Sequence, residues 1–310
     1  MSPKLFIVMN ARAGHHAEGD VRSVVEAVLA AAGRPFEIIE VAGPAELAGA
    51  AGRAVAAARA CGGAVVAAGG DGTINTVAQA VLGSGCDFGV LPQGTFNYFA
   101  RSHGIPDDAA EAARLLLTAE ARPVQVGLVN DRVFLVNASL GLYPLLLEDR
   151  EAYKAQFGRS RAVAMLAGLA SLLRAPRQLR LSLATPGGRP RNVRTPTVFV
   201  GNNRLQLEQI GIAEAASLAE GRLAVIVLKP IGTLAMLWLV VRGAVGTLGD
   251  ADDAASYATT ELTITRRARF GSRRMKVATD GEVRRETLPL RFRVATDLLM
   301  LLAAPRDRSP

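Results

Sequence analysis

The residues with the clearest chemical potential lie in one stretch, GGAVVAAGGDGTINTVAQAVL at positions 62–82. An apolar run leads directly into Gly69, Gly70, Asp71, Gly72 and Thr73, and a helical pattern follows. Glycines at such a junction allow positive φ and let backbone amides come close to a ligand. The start of the following helix offers free N–H groups and the positive end of its dipole, with Thr73 as a capping residue. That combination suits a phosphate group. The loop is neither a Walker A loop, because no Gly-Lys-Ser/Thr follows, nor a Rossmann GxGxxG. An ordinary tight turn would not need two glycines, an acid and a third glycine.

Two further segments have the same form. VMNARAG (Val8–Gly14) follows an apolar strand, and LPQGTFNYFAR (Leu91–Arg101) follows another. Loops at the carboxyl ends of parallel strands are where open α/β sheets bind ligands. Asn10, Gly14, Thr95 and Asn97 thereby become candidate nucleotide contacts. A late Asp280-Gly281-Glu282 sits between two alternating runs and reads as a hairpin turn, whose tip can present Glu282. His15, His16 and His103 have no partners at catalytic or ligand spacing. Cys61 and Cys86 are too few for a disulfide framework or a cysteine metal cluster, and read as small buried thiols in a reducing compartment. Asp107-Asp108 reads as a helix cap.

These loops need a scaffold, and the first 125 residues supply one. KLFIVM, FEIIEV, GAVVAA and FGVL are short apolar runs separated by helical patterns over 19–32, 45–60, 73–82, 95–102 and 107–119. Continuous apolar strands alternating with helices predict a parallel sheet covered on both faces. From Arg122 onward the pattern changes to strand-like runs separated by turn residues, beginning with a hairpin around Asn130-Asp131, and predicts an antiparallel β domain. The expected division is 1–125 and 126–310, with the boundary near Ala121–Val124. Ser160–Leu173 and Ile231–Thr247 read as helices within the second part, and Trp238 in TLAMLWLVV as core.

The chain has 310 residues, 50% apolar and 21% charged, a composition that excludes a disordered or low-complexity protein. The uncharged runs 72–86 and 133–147 fall short of the about 20 residues that span a bilayer. The first ten residues have too little apolar character for a signal peptide, so a cytoplasmic location is expected. The net charge of +8 is uneven: residues 1–125 hold 9 Lys/Arg against 12 Asp/Glu, and residues 126–310 hold 27 against 16. That asymmetry suggests an anionic partner for the second half, either nucleic acid or a phospholipid surface. Aromatic residues are only 5% and do not alternate with basic ones, so no stacking platform for nucleic acid is present. Arg159, Arg161, Arg174, Arg177 and Arg180 flank the apolar Ser160–Leu173 pattern, which fits either a helix lying in a membrane interface or one packed against the β domain.

Taken together, GGDGT at 69–73, the NxxxG loop after the first strand, PxGTxN-FAR at 92–101, NASLGLYP at 137–144 and DGE at 280–282 resemble the diacylglycerol kinase catalytic family, a group that includes sphingosine kinases and bacterial lipid kinases. The resemblance implies an amino-terminal α/β domain like that of NAD kinase and 6-phosphofructokinase, followed by an antiparallel β-sandwich. It implies ATP held by Asn10, Ala11, Arg12, Ala13 and Gly14 in the first loop. Gly69, Gly70, Asp71, Gly72, Thr73, Ile74 and Asn75 match the phosphate loop, and Thr95 and Asn97 the third. Asp280 and Glu282 match the family's acid–base motif, with Glu282 the proton acceptor, and Asp71 belongs to the same catalytic set. Ser217, Glu220 and Arg222 correspond to the segment where family members hold a structural Mg²⁺, the first and last through carbonyls. The sequence departs from the family's common pattern at Phe96, Tyr98 and Glu220. The implied activity is ATP- and Mg²⁺-dependent phosphorylation of diacylglycerol or a related lipid, by a protein attached peripherally to anionic membranes. A soluble NAD kinase and a non-catalytic lipid-binding protein are the alternatives, and a homodimer is left open.

Overall fold

The computed structural model describes residues 3–10, 21–142, 178–230, 253–267 and 272–305, with the single residues 144, 232, 238 and 242. The chain divides into two compact units, residues 1–126 with 295–310, and residues 127–294.

The first unit is built on a six-stranded sheet in the order β2-β1-β3-β4-β18-β5. Its strands are β1 (Leu5–Asn10), β2 (Phe36–Val41), β3 (Ala64–Gly69), β4 (Asp87–Pro92), β5 (Glu120–Val124) and β18 (Leu299–Ala303). β1, β2, β3, β4 and β18 run parallel, and β5 is antiparallel to β18. β3 is buried along its whole length and β1 up to its last residue, because helices cover the sheet. α1 (Val21–Ala31) packs with α5 (Ala109–Thr118), and α2 (Pro44–Cys61) with α3 (Asp71–Val81). In α2 the buried residues are Leu47, Ala50, Ala51, Ala54 and Ala58, one helical stripe of small side chains that lies close against the strands. Pro44 opens that helix and Gly62, at φ 64°, closes it, the placement both residues favour.

The expected second domain of 126–310 is corrected at its carboxyl end. Residues 295–303 return to the first unit, where Leu299, Leu301 and Ala303 are buried between β4 and β5. The apolar LMLLA run completes the sheet. Cys61 and Trp238 are also corrected. Cys61 is exposed on the last turn of α2, and Trp238 is 61% exposed and so lies outside the core.

The second unit contains two antiparallel sheets. One has the order β10-β9-β14-β17-β6-β7, with β6 (Gly127–Val129), β7 (Arg132–Phe134), β9 (Leu179–Ala184), β10 (Arg191–Thr195), β14 (Glu261–Arg266) and β17 (Leu290–Val294). The other has the order β13-β12-β11-β8-β15-β16. It is formed by β8 (Asn137–Gly141), β11 (Thr197–Gly201), β12 (Leu223–Leu228), β13 (Ala254–Thr259), β15 (Arg274–Thr279) and β16 (Glu282–Thr287). Alternate residues from both sheets, among them Phe134, Leu181, Ile264 and Phe292 from one and Leu140, Val200, Val225 and Val277 from the other, fill one core. This is the packing of a sandwich.

The hairpin at Asn130-Asp131 forms as expected, but its second run does not stay in one sheet. β7 belongs to the first sheet and β8 to the second, and Leu135-Val136 carry the chain across. The outer face of the second sheet is covered by α6 (Arg204–Gln209) and a 3₁₀ helix (Ala213–Glu220). Among the described residues, no helix is long and apolar enough to cross a membrane. The expected helices at Ser160–Leu173 and, apart from isolated residues, Ile231–Thr247 lie outside the described residues.

Candidate functional site

Because β1, β3 and β4 are adjacent and in register, their carboxyl ends are level. Met9 stands beside Ala68, and Gly69 beside Pro92. The phosphate-loop candidate and the third loop are held together by backbone. The Gln93 N–H donates to the Gly69 carbonyl at 2.9 Å. A Cβ on Gly94 would lie 3.0 Å from Gly70 Cα, and one on Gly70 would lie 3.4 Å from Gly94 Cα. On Gly69 it would overlap the Thr73 side chain at 2.6 Å. The expectation that these glycines supply positive φ is therefore corrected: Gly70 has φ −80°, and none of Gly69, Gly70, Gly72 or Gly94 is in the left-handed region. Glycine is needed here because the backbones touch.

α3 begins at Asp71, two residues earlier than the pattern suggested, with Gly70 as its cap and no side-chain capping bond. Thr73 is buried in the first turn against Gly69 and is not the cap. The first intrahelical bond is that of Ile74 N–H to the Gly70 carbonyl. The amides of Asp71, Gly72 and Thr73 thus point out of the helix start, where an anion is favoured. Ile74 is fully buried and contributes to the core. Asn75 follows on the same helix.

Asp71 joins α3 to the third loop. Its carboxyl is pushed up from the ordinary carboxylate range by burial, with Asp107 adding a smaller push. The backbone N–H groups of Asn97, Phe99 and Tyr98, where α4 (Tyr98–Ser102) begins, pull it down. Its Oδ1 is buried and has no hydrogen-bond partner. A carboxylate oxygen held out of water without a donor has an unmet interaction that a ligand proton can satisfy.

Asn97 was a candidate ligand contact, yet its side chain is engaged within the protein. Oδ1 accepts from Gly94 N–H at 2.9 Å, and Nδ2 donates to the Gly94 carbonyl at 3.0 Å and to Asp107 Oδ1 at 2.9 Å. With φ 46° and ψ 39° it occupies the left-handed region that asparagine tolerates. Asp108 caps α5 through Glu111 N–H, as the pair 107–108 suggested, while Asp107 holds Asn97. Thr95 and Phe96 are exposed, and the Phe96 and Tyr98 rings stack at 5.8 Å. Asn10 lies at the level end of β1; Ala11, Arg12, Ala13 and Gly14 lie outside the described residues.

In the second unit, the DGE turn is a two-residue hairpin between β15 and β16, with Asp280 at φ 47° and Gly281 at φ 88°, the signature of a type I′ turn. Asp280, for which the resemblance implies an acid–base role, anchors the hairpin. Its Oδ2 accepts from Leu135 N–H at 2.7 Å, and its Oδ1 from Val136 and Asn137 N–H at 2.9 Å each. Three consecutive amides at the sheet-to-sheet crossing thus surround one carboxylate, a backbone anion nest filled by the protein itself. Asn202 continues the network to the Leu135 and Val136 backbone, and Asn137 reaches Gln206 at 3.0 Å. The NASLG motif was visible in the sequence; its link to Asp280, more than 140 positions away, was not. Glu282 is exposed and pairs with Arg284 at 3.0 Å.

Of the residues implied for Mg²⁺, the Glu220 carboxylate is exposed and faces the Arg222 guanidinium at 3.5 Å. Among the described residues no cluster of three metal-ligating side chains is present.

Residues 4–129 match the diacylglycerol kinase catalytic domain. A Klebsiella pneumoniae protein named "Probable lipid kinase YegS-like" is 42% identical over 98 residues, 30% of this chain and 33% of that protein. A diacylglycerol kinase of Bacillus subtilis is 43% identical over 88 residues, 27% of this chain and 29% of its own length. The similarity to these curated relatives thus spans about a third of their length. A diacylglycerol kinase structure from Bacillus anthracis covers 98% of this chain and 97% of its own, with a TM-score of 0.67 and 18% identity, and so shares the fold.

Two measurements check this geometry. Asp280→Asn keeps the shape but removes the charge from three amides, and is expected to lower the stability of the β unit by about 1.5–3 kcal/mol in urea unfolding. His103, stacked edge-on against Phe99 at 4.8 Å, is pushed down to about 4 from 6.5 by burial and, less, by Arg122. The unfolded chain binds this proton first, so stability is complete above the unfolded value and falls as pH drops toward the folded one. Between neutral pH and pH 4 the wild type is expected to lose about 3 kcal/mol more than His103→Asn.

Proposed function

We propose that this chain, whose residues 4–129 match the diacylglycerol kinase catalytic domain, transfers the γ-phosphoryl group of MgATP to the hydroxyl of diacylglycerol or a related lipid at a membrane surface. The observation that carries this reading is the pair of glycine loops packed backbone to backbone at level strand ends, with the amides of Asp71, Gly72 and Thr73 free at the start of α3. Phosphoryl transfer asks mostly for positioning and charge stabilisation, and these groups provide both for a triphosphate. The attached second unit, with 25 Lys/Arg against 14 Asp/Glu over 127–294, supports peripheral attachment to an anionic leaflet on the cytoplasmic side.

The hydroxyl needs a proton acceptor. The lipid oxygen bonds to the γ-phosphorus, the bond to the bridging oxygen breaks and ADP leaves with that electron pair, and the hydroxyl proton must pass to a base. Asp71 suits this task better than Glu282. Its pKa is raised toward the working range of a general base, one side of the carboxylate is oriented by the amides of α4, and Oδ1 is unengaged. Glu282 is exposed and already paired with Arg284, and remains the second candidate.

Incubation with labelled ATP, Mg²⁺ and mixed lipid vesicles, with NAD as a parallel acceptor, tests the reaction. A labelled product that extracts into organic solvent supports the proposal. Labelled NADP, or no product at all, contradicts it. Asp71→Asn is expected to lower kcat by about 10²–10⁴, and Glu282→Gln to leave it within about tenfold. The reverse pattern transfers the role to Glu282.

A further inference from the structure

Among the described residues, the β-sandwich is open along one side. β10 and β13 are edge strands of the two sheets, each paired on one side only, and a cavity of about 800 Å³ lies between them. Its floor belongs to the sandwich core: Leu183 and Val227 are buried, and Val193 and Tyr257 pack against them. Its rim is basic. Arg189, Arg191, Arg194, Arg222 and Lys229 line it. Among the described residues no carboxylate does, Arg222 pairs with Glu220, and the other four form no ion pair. Arg191 stands directly opposite Leu183 in the ladder, so its side chain starts on the inner, apolar face, while Arg194 is on the outer face. The Tyr257 phenol lies near enough to Arg191 to feel its charge.

Charged side chains on edge strands commonly guard against edge-to-edge pairing. Guarding alone does not account for a cavity of ligand size, nor for unneutralised cations gathered over an apolar floor. An occupant must bring negative charge to the rim and hydrocarbon to the floor, which describes a phosphate group carrying an acyl chain. Arginine holds phosphate through paired N–H donors. We propose that this open edge binds an anionic phospholipid, its phosphate on Arg191 and Lys229 and the start of its chain on Leu183, Val193 and Val227. The site is at the opposite end of both sheets from β7 and the DGE hairpin, and it does not rest on the phosphoryl-transfer reading.

Calorimetric titration of the full chain with monomeric dihexanoyl phosphatidic acid, and separately with inorganic phosphate, tests the site. The lipid is expected to bind the wild type and to bind Arg191→Gln and Lys229→Gln each roughly tenfold more weakly, the worth of one charge-assisted hydrogen bond. Val193→Asp, which places a carboxylate on the floor, is expected to weaken it at least as much. Thermal unfolding of each variant confirms that the fold is retained; with two independent cation variants, loss of one to misfolding leaves the other to decide. Unchanged lipid affinity in the folded variants, or no lipid binding at all, overturns the proposal. Inorganic phosphate binding as tightly as the lipid overturns the phospholipid assignment in favour of a free-phosphate site.

Discussion

The contact on which the amino-terminal unit depends is backbone against backbone, Gly70 on Gly94. Once two loops from neighbouring parallel strands touch without side chains between them, the start of α3 and the start of α4 are brought close enough for one carboxylate to serve both. Asp71 is the first residue of α3 and receives the amides that open α4. Asn97 then closes its own loop through Gly94 and ties it to Asp107. Asp71 Oδ1 is buried without a hydrogen-bond partner, as are both side-chain polar atoms of Gln93 in the third loop.

A second carboxylate organises the β unit by similar physics. Asp280 lies in a turn that few residue types accept, at positive φ, and is held there by three amides from the strand crossing at 135–137. Charge-assisted bonds of this kind are short and stronger than neutral ones. They fix the hairpin that carries Glu282, whatever the task of Glu282. Aspartate at 71 and aspartate at 280 thus perform related work: each replaces an ion as the occupant of a cluster of backbone donors. They differ in that Asp280 is saturated and Asp71 is not.

Much of this was legible in the residues. Continuous apolar runs such as LFIVM and AVVAA located the parallel strands, and the glycine loops that follow them located the close approach at the candidate site, because burial on both faces and close backbone approach each leave a compositional mark. The Asp280-Gly281 turn was equally plain. What was not legible depended on long-range partners. Nothing in LMLLA says that it will cross back to complete the first sheet, since a buried edge-to-centre strand reads the same in either unit. The three amides around Asp280 and the bonds that engage Asn97 are set by tertiary contact, so their residue types suggested ligand binding where the structure uses them internally. Cys61 and Trp238 were placed in the core on hydrophobicity alone, which sorts inside from outside only on average.

The proposed triphosphate site depends most directly on the contact between Gly70 and Gly94. MgATP titration of Gly94→Ala measures it: the added Cβ would lie 3.0 Å from Gly70 Cα and 2.7 Å from Asn97 Oδ1, so the loops must separate. Affinity is expected to fall more than about tenfold, on the order of 1.4 kcal/mol or more, with the circular dichroism and thermal transition of the wild type preserved. A folded Gly94→Ala protein that binds MgATP as the wild type does would contradict the account.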